Sequence, residues 1–337
     1  MQNNVANAGR ATALFLVFAG MTAVCNAPSL DGVGNGVRGA GMVAEGVPAP
    51  ASLTPIGRGR QRAAAVSELL DIPYVEGGGH KQQLDLFVPA GEGFATMLLV
   101  HGGSLTQGDR KDTSEPYGDI CRAVARDGIA CAATSYRLFP NVDWPAPVAD
   151  VAAAYAWLRR NIAAQGGSPE KVFLFGHSSG CTLVSLLGVD PVHLAPHGLD
   201  SRDIPGIVAM GCRLDNRETE ERIRARGADD ADVRRYFRED RWGARFGSLE
   251  ALESFRPTAR IAARLPPFLI LIAEAERYQP PILADASVFA EAARAFGSEV
   301  AVEVLPGSTH YSSIRGMGLP GDPTLRLVVD WIRSILP

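Results

Sequence analysis

The chain has 337 residues, with 33 Lys plus Arg against 37 Asp plus Glu, a formal charge of −4, and it is 46% apolar and 21% charged. That is the composition of a folded globular protein, and it excludes a disordered chain, a collagen-like repeat and a small disulfide scaffold. The slightly acidic balance argues against a nucleic-acid surface, and no stretch has the apolar length of a bilayer-spanning helix.

In chain order, residues 11–24 (ATALFLVFAGMTAV) form an apolar run after a polar start, with small residues and Pro28 behind it. This is the layout of an export signal over residues 1–27, so the mature protein is expected to be periplasmic or secreted. Cys25 offers a second reading as a lipidated cysteine, although Val24 before it is bulky for that role. Residues 28–66, rich in Gly, Ala and Pro without a sustained period, read as a flexible linker.

From 67 to 337 the chain alternates strands and helices. Strands are predicted at 84–88, 95–100, 129–136, 171–175, 204–210, 267–273 and 300–305, several of them continuous apolar runs of the kind covered on both faces. Helices are predicted at 120–125, 145–162, 178–187, 283–296 and 322–335. In 145–162, Val148, Val151, Tyr155, Leu158 and Ile162 recur at helical spacing and make one apolar face. The last helix has Asp322 as its expected N-cap and Pro323 at its first position. This alternation implies an α/β fold with a mostly parallel sheet of about eight strands and helices on both faces. The densely charged segment 215–260 interrupts the pattern and reads either as a solvated helical insertion or as a lid over a site at the carboxyl ends of the strands.

Five cysteines stand at 25, 121, 131, 181 and 212, with no Cys-x-x-Cys and no zinc spacing. The four beyond the signal lie in or beside apolar elements and read as buried thiols. Export would permit one or two disulfides, whose pairing the sequence does not choose.

The chemistry concentrates at Gly176-His177-Ser178-Ser179-Gly180, a G-x-S-x-G sequence between an expected strand and an expected helix. Side chains at 176 or 180 would collide with neighbouring backbone in so sharp a turn, and the serine Oγ would stand exposed above the sheet. A serine needs a base to become a nucleophile. His310, in Gly307-Ser308-Thr309-His310 after the last strand, is the best placed, and it gives the chain order Ser, acid, His. His177 is expected to be structural, pointing away from the site, and His80, His193 and His197 to have no role. Gly102 and Gly103, after the strand ATMLLV, and Ser179 are the candidate backbone donors to an oxyanion. His101 is expected to order that loop.

The stretches LDLFVP, LLVHGGSLTQGDR, SYRLFP, WPAPVADVAAAYAWLRRN, GGSPEKVFLFGHSSG and LPGSTH resemble the α/β-hydrolase superfamily. Within it, the chain is similar to the hormone-sensitive-lipase and carboxylesterase-like branch, which also holds feruloyl and acetyl-xylan esterases and kynurenine formamidase. The chain departs from that pattern where a third glycine and an aromatic often follow HGG, having Ser104 and Leu105 instead, and where Ser179 replaces the usual alanine. The resemblance places the triad acid after the strand PFLILIA, in Ala273-Glu274-Ala275-Glu276, at Glu276. Asp285 is the first alternative and Glu274 the second, and Asp150 is expected to be structural. The implied protein is a serine esterase acting on a small-molecule ester through a covalent acyl-enzyme, without metal or organic cofactor. A formamidase-type amidase with the same triad, and a binding protein on an inactive hydrolase fold, are the rivals.

Overall fold

The computed structural model describes residues 65–215, 245–277 and 280–336. The expected signal, the expected linker up to residue 64, and most of the charged segment, at 216–244, lie outside the described residues. Within them, strands β1 (Ser67–Pro73), β2 (Gln83–Val88), β3 (Phe94–Val100), β4 (Ala130–Thr134), β5 (Gly167–His177), β6 (Ile207–Met210), β7 (Phe268–Ala273) and β8 (Val300–Leu305) form one sheet of eight strands in the order β1-β2-β4-β3-β5-β6-β7-β8. β2 runs antiparallel to both its neighbours, and every pairing from β4 to β8 is parallel.

Helices α1 (Tyr117–Arg126), α2 (Ala146–Asn161), α3 (Ser179–Val189), α4 (Leu249–Ser254), α5 (Glu274–Arg277), α6 (Pro280–Ala295), α7 (Ser312–Arg315) and α8 (Thr324–Ile335) connect and cover the strands. The period-2 geometry of the strands sends Leu98 and Val100 into a core shared with α2, α3 and α6. Met97 and Leu99 point the other way, into a core shared with α1 and α8. All five residues of the apolar stripe foreseen over 145–162 are fully buried, four on α2 and Ile162 in the turn that follows it. Two such cores, one per face, explain why the central strands read as unbroken apolar runs.

Three local expectations are corrected. β1 was not foreseen: it is an exposed edge strand whose pairing with β2 slips between Leu69 and Ile72, where Asp71 takes a left-handed φ of 59°. α8 begins one residue later than expected, with Pro323 in the N-cap position, while Asp322 Oδ1 accepts from Thr324 N–H at 2.8 Å. The four cysteines are paired rather than free, Cys121 with Cys131 and Cys181 with Cys212. The first pair belongs to the α1 and α8 face and the second to the α2 and α3 face, so the sheet separates the two pairs.

The described end of the charged segment is not simply solvated. Phe246 and Phe255 are buried, and with Trp144 they form an aromatic cluster with ring centroids 5.1–5.5 Å apart. Trp144 Nε1–H donates to Ser254 Oγ at 2.6 Å, fastening α4 to the loop before α2.

Candidate active site

β5 passes into α3 through Ser178, whose backbone sits at φ 54° and ψ −122°. A residue with a side chain reaches this left-handed region only when its surroundings hold it there. The glycines on either side supply the room. A Cβ on Gly176 would lie 2.5 Å from Cys181 Cα and from the Gly180 carbonyl, and one on Gly180 would strike the carbonyls of Val100 and His101. The Ser178 N–H donates to the Met210 carbonyl at 2.9 Å, tying the turn to β6.

His310 lies on the loop after β8, and its Nε2 is 3.0 Å from Ser178 Oγ. Its Nδ1 hydrogen-bonds Glu276 Oε1. Glu276 stands on α5, directly after β7, is 1% exposed, and accepts from Ala273 N–H at 3.0 Å through its other oxygen. The carboxylate therefore holds the proton on Nδ1 and leaves the Nε2 lone pair facing the serine hydroxyl. The structure thus brings Ser178, His310 and Glu276 into one hydrogen-bonded chain. It does not bring the alternative acids there. Asp285, on α6, accepts from Arg213 Nε–H at 2.7 Å. Glu274 accepts from Gly307 N–H at 2.7 Å and so braces the histidine loop from the side. Asp150 binds Arg137 and Gln82, away from the triad residues.

The HGG loop reaches the elbow, since a Cβ on Gly102 would lie 2.9 Å from Ser178 Cβ. Gly103, Ser104 and Leu105 have φ of 107°, 53° and 62°. Ser104 occupies a left-handed position that a glycine takes without strain, which accounts for the third glycine usual in the pattern. The candidate oxyanion donors divide. Gly103 and Ser179 have N–H groups with no protein acceptor among the described residues, whereas Gly102 is corrected as a donor, because its one N–H already donates to Tyr117 Oη at 3.2 Å. His101 is fully buried, stacks on Tyr136 at 4.3 Å and bonds the Gly102 carbonyl at 2.7 Å. Burial lowers its pKa to about 4, so the ring is neutral at ordinary pH.

Residues not foreseen hold this arrangement. Arg110, with its side chain fully buried, donates to Asp85, the His80 carbonyl and Gln83 at 2.9–3.0 Å and also pairs with Asp71. Lys81 Nζ donates to the Gly108 carbonyl at 2.7 Å and to Asp109 at 2.8 Å, so the loop after HGG is anchored at both residues. His177 is corrected too: it does not point away but lies against His310, with Nε2 3.0 Å from the His310 carbonyl. Its pKa is lowered to about 3, first by burial and then by the charge of His310. Only the charged sequence of the GDRK stretch hinted at Arg110, and nothing local signalled Tyr117. Among the described residues no three His, Cys, Asp or Glu side chains gather as a metal site requires, and no helix is long and apolar enough to cross a membrane.

The BD-FAE family model matches residues 84–204, from β2 past α3. The apo form of Thermogutta terrifontis esterase 2 superposes with a TM-score of 0.60 over 81% of this chain and 95% of that one, at 23% identity. The chain has the α/β-hydrolase fold. Among curated relatives, Esterase LipC of Mycobacterium tuberculosis is 30% identical over 64% of this chain and 52% of its own length. Esterase LipQ of the same organism is 32% identical over 43% of this chain and 34% of its own. The chain therefore spans between about a third and about a half of these curated relatives.

Proposed function

We propose that this α/β-hydrolase is a serine esterase cleaving carboxylic esters of small molecules. The observation that carries the reading is the chain from Ser178 Oγ to His310 Nε2, 3.0 Å, and from His310 Nδ1 to Glu276, with the serine on a left-handed elbow. In this reading Ser178 Oγ attacks the ester carbonyl carbon while His310 Nε2 takes its proton. Glu276 stabilises the imidazolium that forms, and the N–H groups of Gly103 and Ser179 receive the developing oxyanion. His310 then returns the proton to the leaving alcohol. Water, deprotonated by the same imidazole, attacks the acyl-Ser178 and releases the acid. The esterase names of LipC, LipQ and the Thermogutta enzyme support the ester over the amide.

Export belongs to the same proposal. The apolar run at 11–24 is laid out as a signal, and two disulfides within the described residues suit an oxidising compartment. The described end of the charged segment, 245–260, is proposed to border the acyl pocket, joined to the loop before α2 through Trp144 and Ser254.

The test is release of p-nitrophenol from acetate to octanoate esters, beside an N-formyl anilide. Ester turnover should dominate and fall by about 10⁴-fold or more in Ser178→Ala, which should also lose labelling by a fluorophosphonate. Label retained by that variant would overturn the assignment, and faster anilide cleavage would move the chain to the amidases.

A further inference from the structure

We infer that the Cys181–Cys212 disulfide is a positioning device for the catalytic serine and histidine. The inference rests on the reading of Ser178 and His310 given above. Cys181 lies in the first turn of α3, three residues after Ser178, and its N–H donates to the Ser178 carbonyl at 3.1 Å. Cys212 follows Gly211 at the end of β6. Gly211, at φ 64°, lies directly against the other two triad residues: a Cβ there would come 3.1 Å from His310 Nδ1 and 3.4 Å from Glu276 Oε1. One residue earlier, the Met210 carbonyl accepts the Ser178 N–H at 2.9 Å.

These links close a ring. It runs from Ser178 through α3 to Cys181, across the disulfide to Cys212, back through Gly211 to Met210, and by hydrogen bond to Ser178 again. The ring joins the strained elbow to the turn on which the histidine and its acid rest. Both sulfurs are buried, with Cys181 inaccessible and Cys212 4% exposed. A left-handed serine persists only where its surroundings over-determine it, and displacing reacting groups by about 1 Å can cost about 10²-fold. A covalent tie between the elbow and the floor under His310 is suited to prevent such a displacement.

The other disulfide supplies the control. Cys121–Cys131 joins α1 to the start of β4, on the opposite face of the sheet. In the chain-entropy account a cross-link acts through the unfolded state and leaves turnover of the folded enzyme untouched. Both bridges should raise the melting temperature on that account, and only the one at the elbow should change kcat.

The experiment compares the full chain with Cys181→Ala/Cys212→Ala and Cys121→Ala/Cys131→Ala. The elbow pair should lose about 10- to 100-fold in kcat with KM within about threefold, and fluorophosphonate labelling should slow in parallel. The control pair should keep kcat within about twofold while its melting temperature falls. Equal loss of kcat in both variants, or none in the elbow pair, would overturn the inference. If the elbow pair does not fold, the control variant serves instead, since it keeps only the bridge in question. It is reduced with a phosphine in mild urea until two thiols beyond that of Cys25 titrate, then returned to buffer and assayed. A fall in turnover as the thiols appear supports the positioning role, and constant turnover refutes it. Failure of the serine reading has a separate signature, namely labelling that survives in Ser178→Ala.

Discussion

His177 and His310 lie ring against ring, their centroids 4.9 Å apart, with the His177 imidazole donating from Nε2 to the His310 main-chain carbonyl at 3.0 Å. The same carbonyl accepts from Ser313 Oγ at 2.9 Å, so the histidine loop is held from below and from α7. The other His177 nitrogen, Nδ1, is buried without a partner. That nitrogen adds no hydrogen bond to the fold, whereas Nε2 fixes the backbone of His310.

His177→Phe should therefore separate stability from activity. The ring volume stays and the unpartnered Nδ1 goes, so the melting temperature should hold or rise. The hydrogen bond that fixes the His310 backbone is lost, so kcat/KM should fall by about tenfold, mostly in kcat. His177→Gln, which keeps a donor at similar reach, should lose less. Initial-rate kinetics and thermal unfolding of the two variants check this, and equal losses in both would show that the donor is irrelevant.

Acid should destabilise the fold through these buried histidines. The unfolded chain binds a proton on each at about pH 6.5, whereas the folded chain does not until about pH 4 for His101 and about pH 3 for His177, both kept neutral chiefly by burial. Between those values the unfolded state holds more protons, so stability is fully present above about pH 6.5 and declines as the pH falls. Each ring should cost the folded state on the order of 2–3 kcal/mol by pH 4.5. Urea midpoints from pH 7.5 to 4.5 should show the decline, and His177→Phe should flatten part of it. A profile that is level across this range in the parent would contradict the buried, neutral rings.

Tyr117 is the anchor of the HGG loop. It is 2% exposed, and its Oη accepts the Gly102 N–H. Tyr117→Phe strands that amide in a buried place, which should cost about 1–3 kcal/mol of stability. The loop that carries Gly103 loses its fixed point, so kcat should drop by about tenfold with little change in KM. Unfolding and ester kinetics on the one variant test both parts. An unchanged kcat would mean that Lys81 and Arg110 hold the loop without help.

What the sequence disclosed was what depends on near neighbours along the chain. Gly176 is required by contacts within five residues, and the stripe of α2 is a matter of helical period, so both were readable; Gly180 clears the carbonyls of Val100 and His101, and only the motif pointed to it. The edge strand β1 was not, because Glu68 and Asp71 break any alternation and its bulge serves Arg110, 39 residues on. The short helices α5 and α7 are too brief for a period to appear, yet they carry Glu276 and follow His310. The Tyr117 anchor and the two cysteine pairings depend on which sheet face a residue meets, and only the assembled sheet decides that.

The acids give the sharpest comparison, because each of the three candidates has a different partner. Glu276 touches His310, Asp285 pairs with Arg213, and Glu274 holds the Gly307 amide. Glu276→Gln keeps the shape but removes the charge that stabilises the imidazolium, and its amide can present N–H where an acceptor is needed. By analogy with the amide replacement in serine proteases, turnover should fall by about 10⁴-fold. Asp285→Asn loses a charge partner for Arg213 and should lower stability by about 1–3 kcal/mol with turnover within about threefold. Glu274→Gln retains an oxygen that can still accept from Gly307, so its effect should be smaller still on both counts. Single-turnover acylation rates and melting curves of the three variants separate these roles. A turnover loss in Asp285→Asn that matched or exceeded that of Glu276→Gln would break the assignment of the acid.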